Sequence, residues 1–254
     1  MTRPSKARVR QSFERAAATY DSAAAIQRDI CHDLLAMLPE ALAPATLLDA
    51  GCGTGYALPL LHRCFPESTC LALDLAPGML HRIGTGTHRI AADLEHLPLA
   101  AASVDLYWSS LAVQWCDLAH TLDEARRVLR PDGQLALATL GTETFRELRL
   151  AFAGVDEHRH TLAFHTAAEL EAIAGQAGFS RLSLDRRFKT AHYPDFRTLL
   201  RAVKAIGANQ LGEGRRTRPL GRTAFAAAEA AYESLRQPAG LPLTYDVLIL
   251  SAHP

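Results

Sequence analysis

An acidic residue followed by a run of glycines is the part of this sequence best suited to binding a small molecule. Residues 49–55 read D-A-G-C-G-T-G, which places the carboxylate of Asp49 before three glycines. Glycines let the backbone approach a ligand closely, and a carboxylate attracts a ligand that carries an ammonium group. The dinucleotide fingerprint G-x-G-x-x-G would need its last glycine where this chain has Tyr56 or Leu58, so it does not fit. The alternative is a purely structural role, in which the glycines form a tight turn that binds nothing.

A second carboxylate follows at a spacing that suits a nucleoside. Asp74 stands 21 residues after Gly53, at the end of a short apolar run. An acid at about this offset accepts hydrogen bonds from ribose hydroxyls. Together with the glycine turn, Asp74 predicts a ligand that consists of a nucleoside with an amino-acid tail.

These residues need a scaffold, and the apolar pattern predicts one in which strands and helices alternate. Strands are predicted at 46–49, 69–74, 89–92, 104–109, 134–140, 181–189 and 245–252. Apolar residues recur at helical spacing over 8–38, with a break near 20–22, and over 56–65, 117–129, 141–178, 196–208 and 223–235. Pro77 is predicted to open a further short helix. We therefore predict an α/β fold with a doubly wound, mostly parallel, seven-stranded sheet. Ligands bind such sheets beyond the carboxyl ends of the strands, where the glycine turn lies.

Two helical additions accompany this predicted core within a single domain. Residues 1–40 are predicted to form an N-terminal helical lid, and residues 191–240 a helical cap inserted before the last strand. Residues 45–190 and 241–254 then make up the core. A length of 254 residues accommodates one elaborated domain of this kind.

Composition excludes several classes of protein. Hydrophobic residues at 48% and charged residues at 21% are typical of a folded globular protein. The 27 basic and 27 acidic residues cancel, which argues against a nucleic-acid partner. The five cysteines include no C-x-x-C pair, so neither a disulfide framework nor a metal site is predicted. No leader or membrane-spanning stretch is found, and we expect a cytoplasmic protein with no membrane partner.

The balanced total charge conceals a basic segment. Residues 181–222 contain nine Arg and two Lys against Asp185, Asp195 and Glu213, a local net charge of +8. Such a segment is either a solvated helical face or a surface that attracts an acidic partner. Both interpretations stay open at this point.

The segment from Asp49 to Gly55 resembles the first motif of the class I S-adenosylmethionine-dependent methyltransferases, and the resemblance spans about residues 46–140. It implies a Rossmann-like fold with S-adenosyl-L-methionine as the cofactor. It also implies that the methionine part lies near Asp49, Gly51 and Gly53, the ribose near Asp74, and the adenine near Asp93 and Leu94. The further cofactor contacts that we expect are Tyr20, Gln27, Cys52, Leu75, Met79 and Ser109.

The flanking residues are similar to those of the malonyl-[acyl-carrier protein] O-methyltransferases of biotin synthesis. The likeness rests on F-x-x-A-x-x-x-Y-D at 13–21, D-L-E-H-L-P at 93–98, Gln114-Trp115, and L-R-x-x-K at 200–204, and it runs over nearly the whole chain. Members of that family esterify the free carboxylate of a malonyl thioester, so that fatty-acid synthesis can extend a masked diacid. The resemblance implies an acyl carrier protein as partner and substrate contacts at Gln114, Trp115 and His160.

Esterification of a carboxylate needs no general base, because a group with a pKa of about 4 is already ionised at neutral pH. We therefore predict catalysis by alignment and exclusion of water, with no catalytic base. One cation is expected to hold the carboxylate through a single oxygen, since a grip on both oxygens would compete with the attack. The candidates are Arg201, Lys204, Arg215, Arg216, Arg218 and Arg222.

Two rival functions remain open on the sequence. A class I methyltransferase acting on a free small carboxylic acid would share the core motifs. A carrier-protein-binding module without catalysis would share the basic segment. The sequence also leaves open whether a carrier protein or coenzyme A presents the malonyl group.

Overall fold

The fold is built on a sheet of seven strands. The computed structural model describes residues 4–205 and 220–254. The strands are β1 (Thr46–Ala50), β2 (Thr69–Asp74), β3 (His88–Ala91), β4 (Val104–Ser110), β5 (Leu129–Leu140), β6 (Ser180–Tyr193) and β7 (Leu241–His253). Their order is β3-β2-β1-β4-β5-β7-β6. Strands β1 to β5 pair in parallel, and β7 runs antiparallel to β5 and to β6. The predicted doubly wound, mostly parallel sheet is confirmed.

The strand order reverses between β1 and β4, and this position decides where a ligand can bind. From β1 the chain moves outward to β2 and β3, then returns to place β4 on the other side of β1. The loops after β1 and β4 therefore diverge and leave a crevice at the carboxyl ends of the strands. The glycine turn after β1 lies at this crevice.

Helices cover both faces of the sheet. They are α1 (Lys6–Ala16), α2 (Tyr20–Ala23), α3 (Ala25–Leu35), α4 (Ala57–Cys64), α5 (Pro77–Leu80), α6 (Leu118–Val128), α7 (Arg146–Phe152), α8 (Ala167–Gln176), α9 (Phe196–Ala205) and α10 (Arg222–Glu233). One apolar core joins the sheet to α3, α4, α7, α9 and α10, and a second joins its other face to α6 and α8. None of the described helices has the length and apolar character needed to span a bilayer.

Alternation along the strands explains why both faces are apolar. Leu47 of β1 contributes to the first core and Leu48 to the second, because successive strand side chains point to opposite faces. The helices present apolar stripes to these faces. In α6, Leu118, Leu122 and Ala125 are buried, and Asp117 caps the helix by accepting from the backbone N–H groups of residues 119 and 120.

The structure corrects several predicted boundaries. The stretch 141–178 was predicted to be largely helical, but its helices are α7 and α8, and an irregular segment, 153–166, lies between them. Strand β5 begins at Leu129 rather than at Gln134, and β6 extends to Tyr193 rather than to Lys189. The first residues of the predicted cap, 191–193, therefore belong to a strand. The division into lid, core and cap otherwise stays a prediction.

Candidate active site

The glycine turn after β1 folds back over the end of β2. The backbone N–H groups of Gly51 and Cys52 donate to the carbonyl oxygen of Leu73 over 2.7 and 2.9 Å. Gly51 has a φ of +78° and Gly53 a φ of +55°, which favours glycine at both positions. A Cβ at position 51 would also collide with the side chain of Ala112. The turn therefore depends on glycine for both its conformation and its close packing.

Asp49 is a buried carboxylate with an unused oxygen. Asp49 is only 2% exposed, and its Oδ2 has no hydrogen-bond partner. Burial, with a further contribution from the nearby Asp74, raises the pKa of Asp49 to about 8. A buried carboxylate of this kind is unfavourable unless a cation or donor reaches it. Asp49 is thus prepared to receive a positively charged group.

Asp74 is fixed at the end of β2 by two backbone hydrogen bonds. Its Oδ2 accepts from the N–H of Gly53 over 2.9 Å, and its Oδ1 accepts from the N–H of Ala76 over 2.8 Å. Burial raises the pKa of Asp74, and these two hydrogen bonds oppose the rise. Each oxygen keeps a second lone pair, which suits a diol such as a ribose.

Three cavities meet above the crevice, and Tyr20 and Leu111 line all of them. The first, here named the Asp74 cavity, is bounded by Leu75, Met79, Asp93 and Leu94 as well as Asp74. The second, the Asp49 cavity, lies over the glycine turn and includes Gln27, Arg28 and Cys52. The third, the aromatic cavity, is lined by Phe13, Trp115, Phe145, Phe164 and Tyr245, with Gln27 and Gln114.

The far end of the Asp74 cavity is closed by Lys6 of α1. Its Nζ lies 2.7 Å from Oδ1 of Asp93 and 2.6 Å from Oε1 of Glu95. It also donates to the Sγ of Cys116 over 3.3 Å. These contacts attach α1 to the loop after β3, so the N-terminal helix forms one wall of the cavity.

The aromatic cavity carries no charged side chain among its described lining residues. Phe13 and Trp115 meet edge to face with ring centroids 5.6 Å apart. The polar groups are the phenols of Tyr20 and Tyr245, the amides of Gln27 and Gln114 and the indole N–H of Trp115. Gln114 is fixed in place because its Nε2 donates to the carbonyl oxygen of Leu111 over 2.7 Å.

Comparison with known proteins identifies the family. Residues 48–137 match the family model described as a methyltransferase domain. The chain is 64% identical to a protein from Dechloromonas aromatica (strain RCB) named malonyl-[acyl-carrier protein] O-methyltransferase, over 99% of this chain and 95% of the relative. The chain belongs to the malonyl-[acyl-carrier protein] O-methyltransferase family. A relative of the same name from Laribacter hongkongensis (strain HLHK9) is 43% identical over 96% of this chain and 87% of its own.

Solved structures agree on the fold. The crystal structure of a putative methyltransferase from Bacillus halodurans C-125 superposes with a TM-score of 0.62 at 15% identity, over 89% of this chain and 98% of the other. At that identity the likeness concerns the fold alone. The protein has the fold of a class I methyltransferase, and the cofactor expected from the sequence is S-adenosylmethionine.

The described residues fit this cofactor. The unpaired Oδ2 of Asp49 suits an ammonium group, and Arg28 in the same cavity suits a carboxylate. The apolar walls made by Leu75, Met79 and Leu94 suit an adenine ring beside the Asp74 carboxylate. Cofactor-contact residues expected from the sequence that do lie on these cavities are Tyr20, Gln27, Asp49, Gly51, Cys52, Gly53, Asp74, Leu75, Met79, Asp93 and Leu94.

Ser109 needs a correction. It is fully buried inside the sheet, and its hydroxyl donates to the carbonyl oxygen of Ala50 over 2.7 Å. The next residue, Ser110, lines both the Asp74 and the Asp49 cavities. Ser109 therefore ties β4 to β1, and Ser110 is the serine placed to reach a ligand.

The expected substrate contacts divide into two groups. Gln114 and Trp115 line the aromatic cavity, and their contact with a substrate stays a prediction. His160 does not line it, because its ring stacks on Phe152 at a centroid distance of 3.7 Å and its Nε2 lies 2.8 Å from Oδ1 of Asp156. The expectation that His160 contacts the substrate is therefore not supported.

Of the expected carboxylate-binding cations, those among the described residues do not line the cavities. Arg201, Lys204 and Arg222 are exposed and line none of the three cavities. Arg215, Arg216 and Arg218 lie outside the described residues.

Several cavity residues were missed by the sequence reasoning. Arg28 follows Gln27 on α3, and because consecutive residues of a helix do not share a face, helical spacing carries no signal for it. Leu111 has a φ of +56°, an unusual conformation that nothing in its sequence indicates. The rings of Phe145 and Tyr245 meet edge to face with centroids 4.9 Å apart, because β7 pairs with β5. These two residues are far apart in the sequence, and a single sequence does not reveal such a contact.

Proposed function

We propose that this protein transfers the methyl group of S-adenosylmethionine to the free carboxylate of a malonyl group that an acyl carrier protein presents as a thioester. The observation that carries the proposal is the junction of two unlike cavities at Tyr20, Gln27 and Leu111. One contains an unpaired buried carboxylate, and the other is aromatic and, in its described lining, uncharged. Relatives at 64% and 43% identity bear the name of this activity.

In this proposal each cofactor group has a protein partner. Asp49 binds the ammonium group, Arg28 the carboxylate and Asp74 the ribose hydroxyls, while Asp93 and Leu94 border the adenine. When bound, S-adenosylmethionine supplies an electrophilic methyl group on a positively charged sulfur. Tyr20 and Leu111 line all three cavities and so border the place where the two reactants meet.

The chemistry requires alignment rather than proton transfer. The malonyl carboxylate is ionised at neutral pH, and the described lining of the aromatic cavity offers no His, Lys, Asp or Glu that could act as a base. Opposite charges diminish as the methyl group moves, so a site that excludes water favours the transfer. Phe13, Trp115, Phe145 and Phe164 supply such surroundings, and correct orientation of the reactants supplies much of the acceleration.

A carrier protein as partner is supported by the surface near the site. Helix α9 buries Phe196 and Leu199 and exposes Arg197, Arg201 and Lys204 on its opposite side. It contacts α2, which carries Tyr20. An acidic carrier bound to this helix would lie beside the lid while its flexible arm enters the aromatic cavity. We place the reaction in the cytoplasm, which the free state of the five cysteines supports; neither a nucleic acid nor a membrane is a proposed partner.

The rival functions receive less support. A free small acid would not need the basic face of α9, and a module without catalysis would not need an unpaired Asp49 beside an intact glycine turn. The product of the proposed reaction carries a methyl ester where malonyl thioester carries a charge, so it can prime synthesis of the pimeloyl chain of biotin.

The decisive experiment supplies the purified protein with S-adenosylmethionine and one acceptor at a time. Malonyl carrier protein, malonyl-coenzyme A, malonate and aconitate serve as acceptors, and mass spectrometry reads the products. We expect a gain of one methyl group on the malonyl thioesters and little on the free acids. Methylation of a free acid in preference to both thioesters would contradict the proposal.

A further inference from the structure

Gln27 of α3 occupies an unusual place, because its side chain lines both the Asp49 cavity and the aromatic cavity. Its Oε1 is buried without a hydrogen-bond partner. Most buried side-chain amides are satisfied by protein or water. An unsatisfied amide between two ligand cavities indicates that its partners are ligands.

The aromatic cavity places a particular demand on a bound carboxylate. Removing a carboxylate from water is costly unless donors replace the water molecules. In the described lining those donors are the amides of Gln27 and Gln114, the hydroxyls of Tyr20 and Tyr245 and the indole N–H of Trp115. Gln114 already donates to the carbonyl oxygen of Leu111. The oxygens of both amides are buried without a hydrogen-bond partner, but Gln27 is the amide that also lines the Asp49 cavity.

We propose that Gln27 bridges the two reactants, with its amide oxygen accepting from the amino group of the cofactor and its amide N–H donating to one oxygen of the substrate carboxylate. This inference rests on the proposed function and replaces the cation expected from the sequence with a neutral donor. The second carboxylate oxygen is left free to attack the methyl group. Tyr20 assists as a neutral donor, because burial and the neighbouring Asp74 and Asp21 raise its pKa to about 12.

A neutral donor suits this reaction better than a cation does. The carboxylate loses its negative charge as the ester forms, so a cation paired with it would stabilise the starting state more than the transition state. Such a cation would improve binding and slow the transfer. An amide N–H orients the carboxylate with a much smaller difference between the two states.

Two variants at this position test the inference, with Gln176→Leu on the exposed side of α8 as the matched control. Calorimetry measures binding of malonyl-coenzyme A and acetyl-coenzyme A to protein saturated with S-adenosylhomocysteine. We expect Gln27→Leu to weaken malonyl-coenzyme A about tenfold or more and to leave acetyl-coenzyme A, which lacks the carboxylate, unchanged. We expect Gln27→Lys to bind malonyl-coenzyme A at least as tightly as the parent, with a kcat lower by about tenfold or more.

A third variant tests the inference without depending on whether Gln27→Leu and Gln27→Lys fold. Gln27→Glu conserves size but places an anion against the carboxylate, so it should retain S-adenosylhomocysteine and lose malonyl-coenzyme A. Parent-like malonyl binding in Gln27→Leu, or a parent-like kcat in Gln27→Lys, would overturn the inference while leaving the proposed function intact. A parent protein that methylates neither malonyl thioester would overturn both.

Discussion

At the scale of single residues, Asp49 links cofactor binding to pH. Its pKa of about 8 in the cofactor-free protein arises from burial and from Asp74. An ammonium group beside it favours the charged form and lowers that pKa. We therefore expect S-adenosylmethionine binding near pH 7 to release a proton, and its affinity to rise as the pH approaches 8. Calorimetry in buffers of different ionisation enthalpy measures the proton directly, and a binding heat independent of the buffer would contradict this role.

The raised pKa of Asp49 also makes the free energy of unfolding depend on pH. Between the ordinary Asp pKa of 3.8 and about 8, folded Asp49 retains a proton that the unfolded chain has lost. The free energy of unfolding therefore falls as the pH rises through this window. Asp49→Asn cannot titrate, so the variant should not lose this stability as the pH rises. At pH 9 the cofactor-free variant should therefore melt at a higher temperature than the parent, and it should bind the cofactor poorly. The exposed Asp132→Asn serves as the control and should change neither property.

The proposal that methyl transfer needs no catalytic base gives a prediction about rates. At saturating cofactor, so that Asp49 no longer titrates, single-turnover methyl transfer should be flat between about pH 6 and 8, because the nucleophile is already ionised. His160 stacks on Phe152 outside the aromatic cavity, so His160→Ala should leave that profile flat. A slope of tenfold per pH unit that disappears in His160→Ala would show that a base operates.

Residues whose proposed role follows from local spacing are accessible from the sequence. Asp49 directly precedes the glycine turn, and Asp74 follows it at a recognisable offset. The resemblance points to Ser109, but successive strand side chains point to opposite faces, so the neighbouring Ser110 is the one that lines the cavities. The neutral lining of the aromatic cavity could not be predicted, since its residues come from parts of the chain as far apart as Phe13, Trp115 and Tyr245.

At the scale of elements, α1 is attached across the Asp74 cavity by polar contacts as well as by packing. Lys6 pairs with Asp93 and Glu95, and the N–H of Gly78 donates to Glu14 over 3.0 Å. Lys6→Met removes the first attachment, and because these partly exposed pairs contribute modestly, cofactor affinity should fall by about threefold to tenfold. Faster amide hydrogen exchange across 6–16 should accompany the loss.

Arg15 on the same helix provides the control for that variant. Its Nε donates to the carbonyl oxygen of Gln11 and it is exposed, so Arg15→Met should alter neither cofactor affinity nor exchange. If Lys6→Met matched the parent in both measurements, α1 would be held in place by packing alone.

Elements built from apolar runs were predictable, and those set by distant partners were not. Strands β1, β2 and β4 follow directly from short apolar segments that are buried. The stretch 153–166 has helical spacing in places, yet His165 forms a bridge with Gly141 at the end of β5. That tertiary contact holds the chain extended and overrides the local preference.

At the scale of the whole molecule, the basic segment separates into an internal and an external part. Arg186 makes two hydrogen bonds of 2.8 and 2.9 Å to buried Asp246, and Arg187 and Lys189 both pair with Asp33. These cations are neutralised by acids far away in the sequence, which the local net charge of +8 did not take into account. The exposed cations of α9 are therefore the described part of the segment best placed for an acidic partner.

Charge reversal on α9 tests whether this helix receives the carrier protein. Because exposed charges steer association and are screened at about 10 Å in 0.1 M salt, replacing Arg197, Arg201 and Lys204 by Glu should raise the KM for malonyl carrier protein. We expect an increase of tenfold or more, about 1.4 kcal/mol, together with a weaker dependence on salt. Cofactor affinity and turnover of malonyl-coenzyme A should stay near those of the parent, since these cations line none of the three cavities.

A second triple variant separates the position of the charge from its amount. Replacing Arg8, Arg10 and Arg15, all exposed on α1, by Glu changes the net charge equally. If docking is specific to α9, this variant should keep a nearly parental KM for the carrier at physiological salt, and steady-state kinetics with both thioesters measures the difference. Equal effects of the two variants would mean that net charge alone governs association, and an effect confined to α1 would move the carrier surface to the lid. If neither variant affected the carrier, α9 would be an ordinary solvated helix, and the free-acid methyltransferase would become the stronger hypothesis.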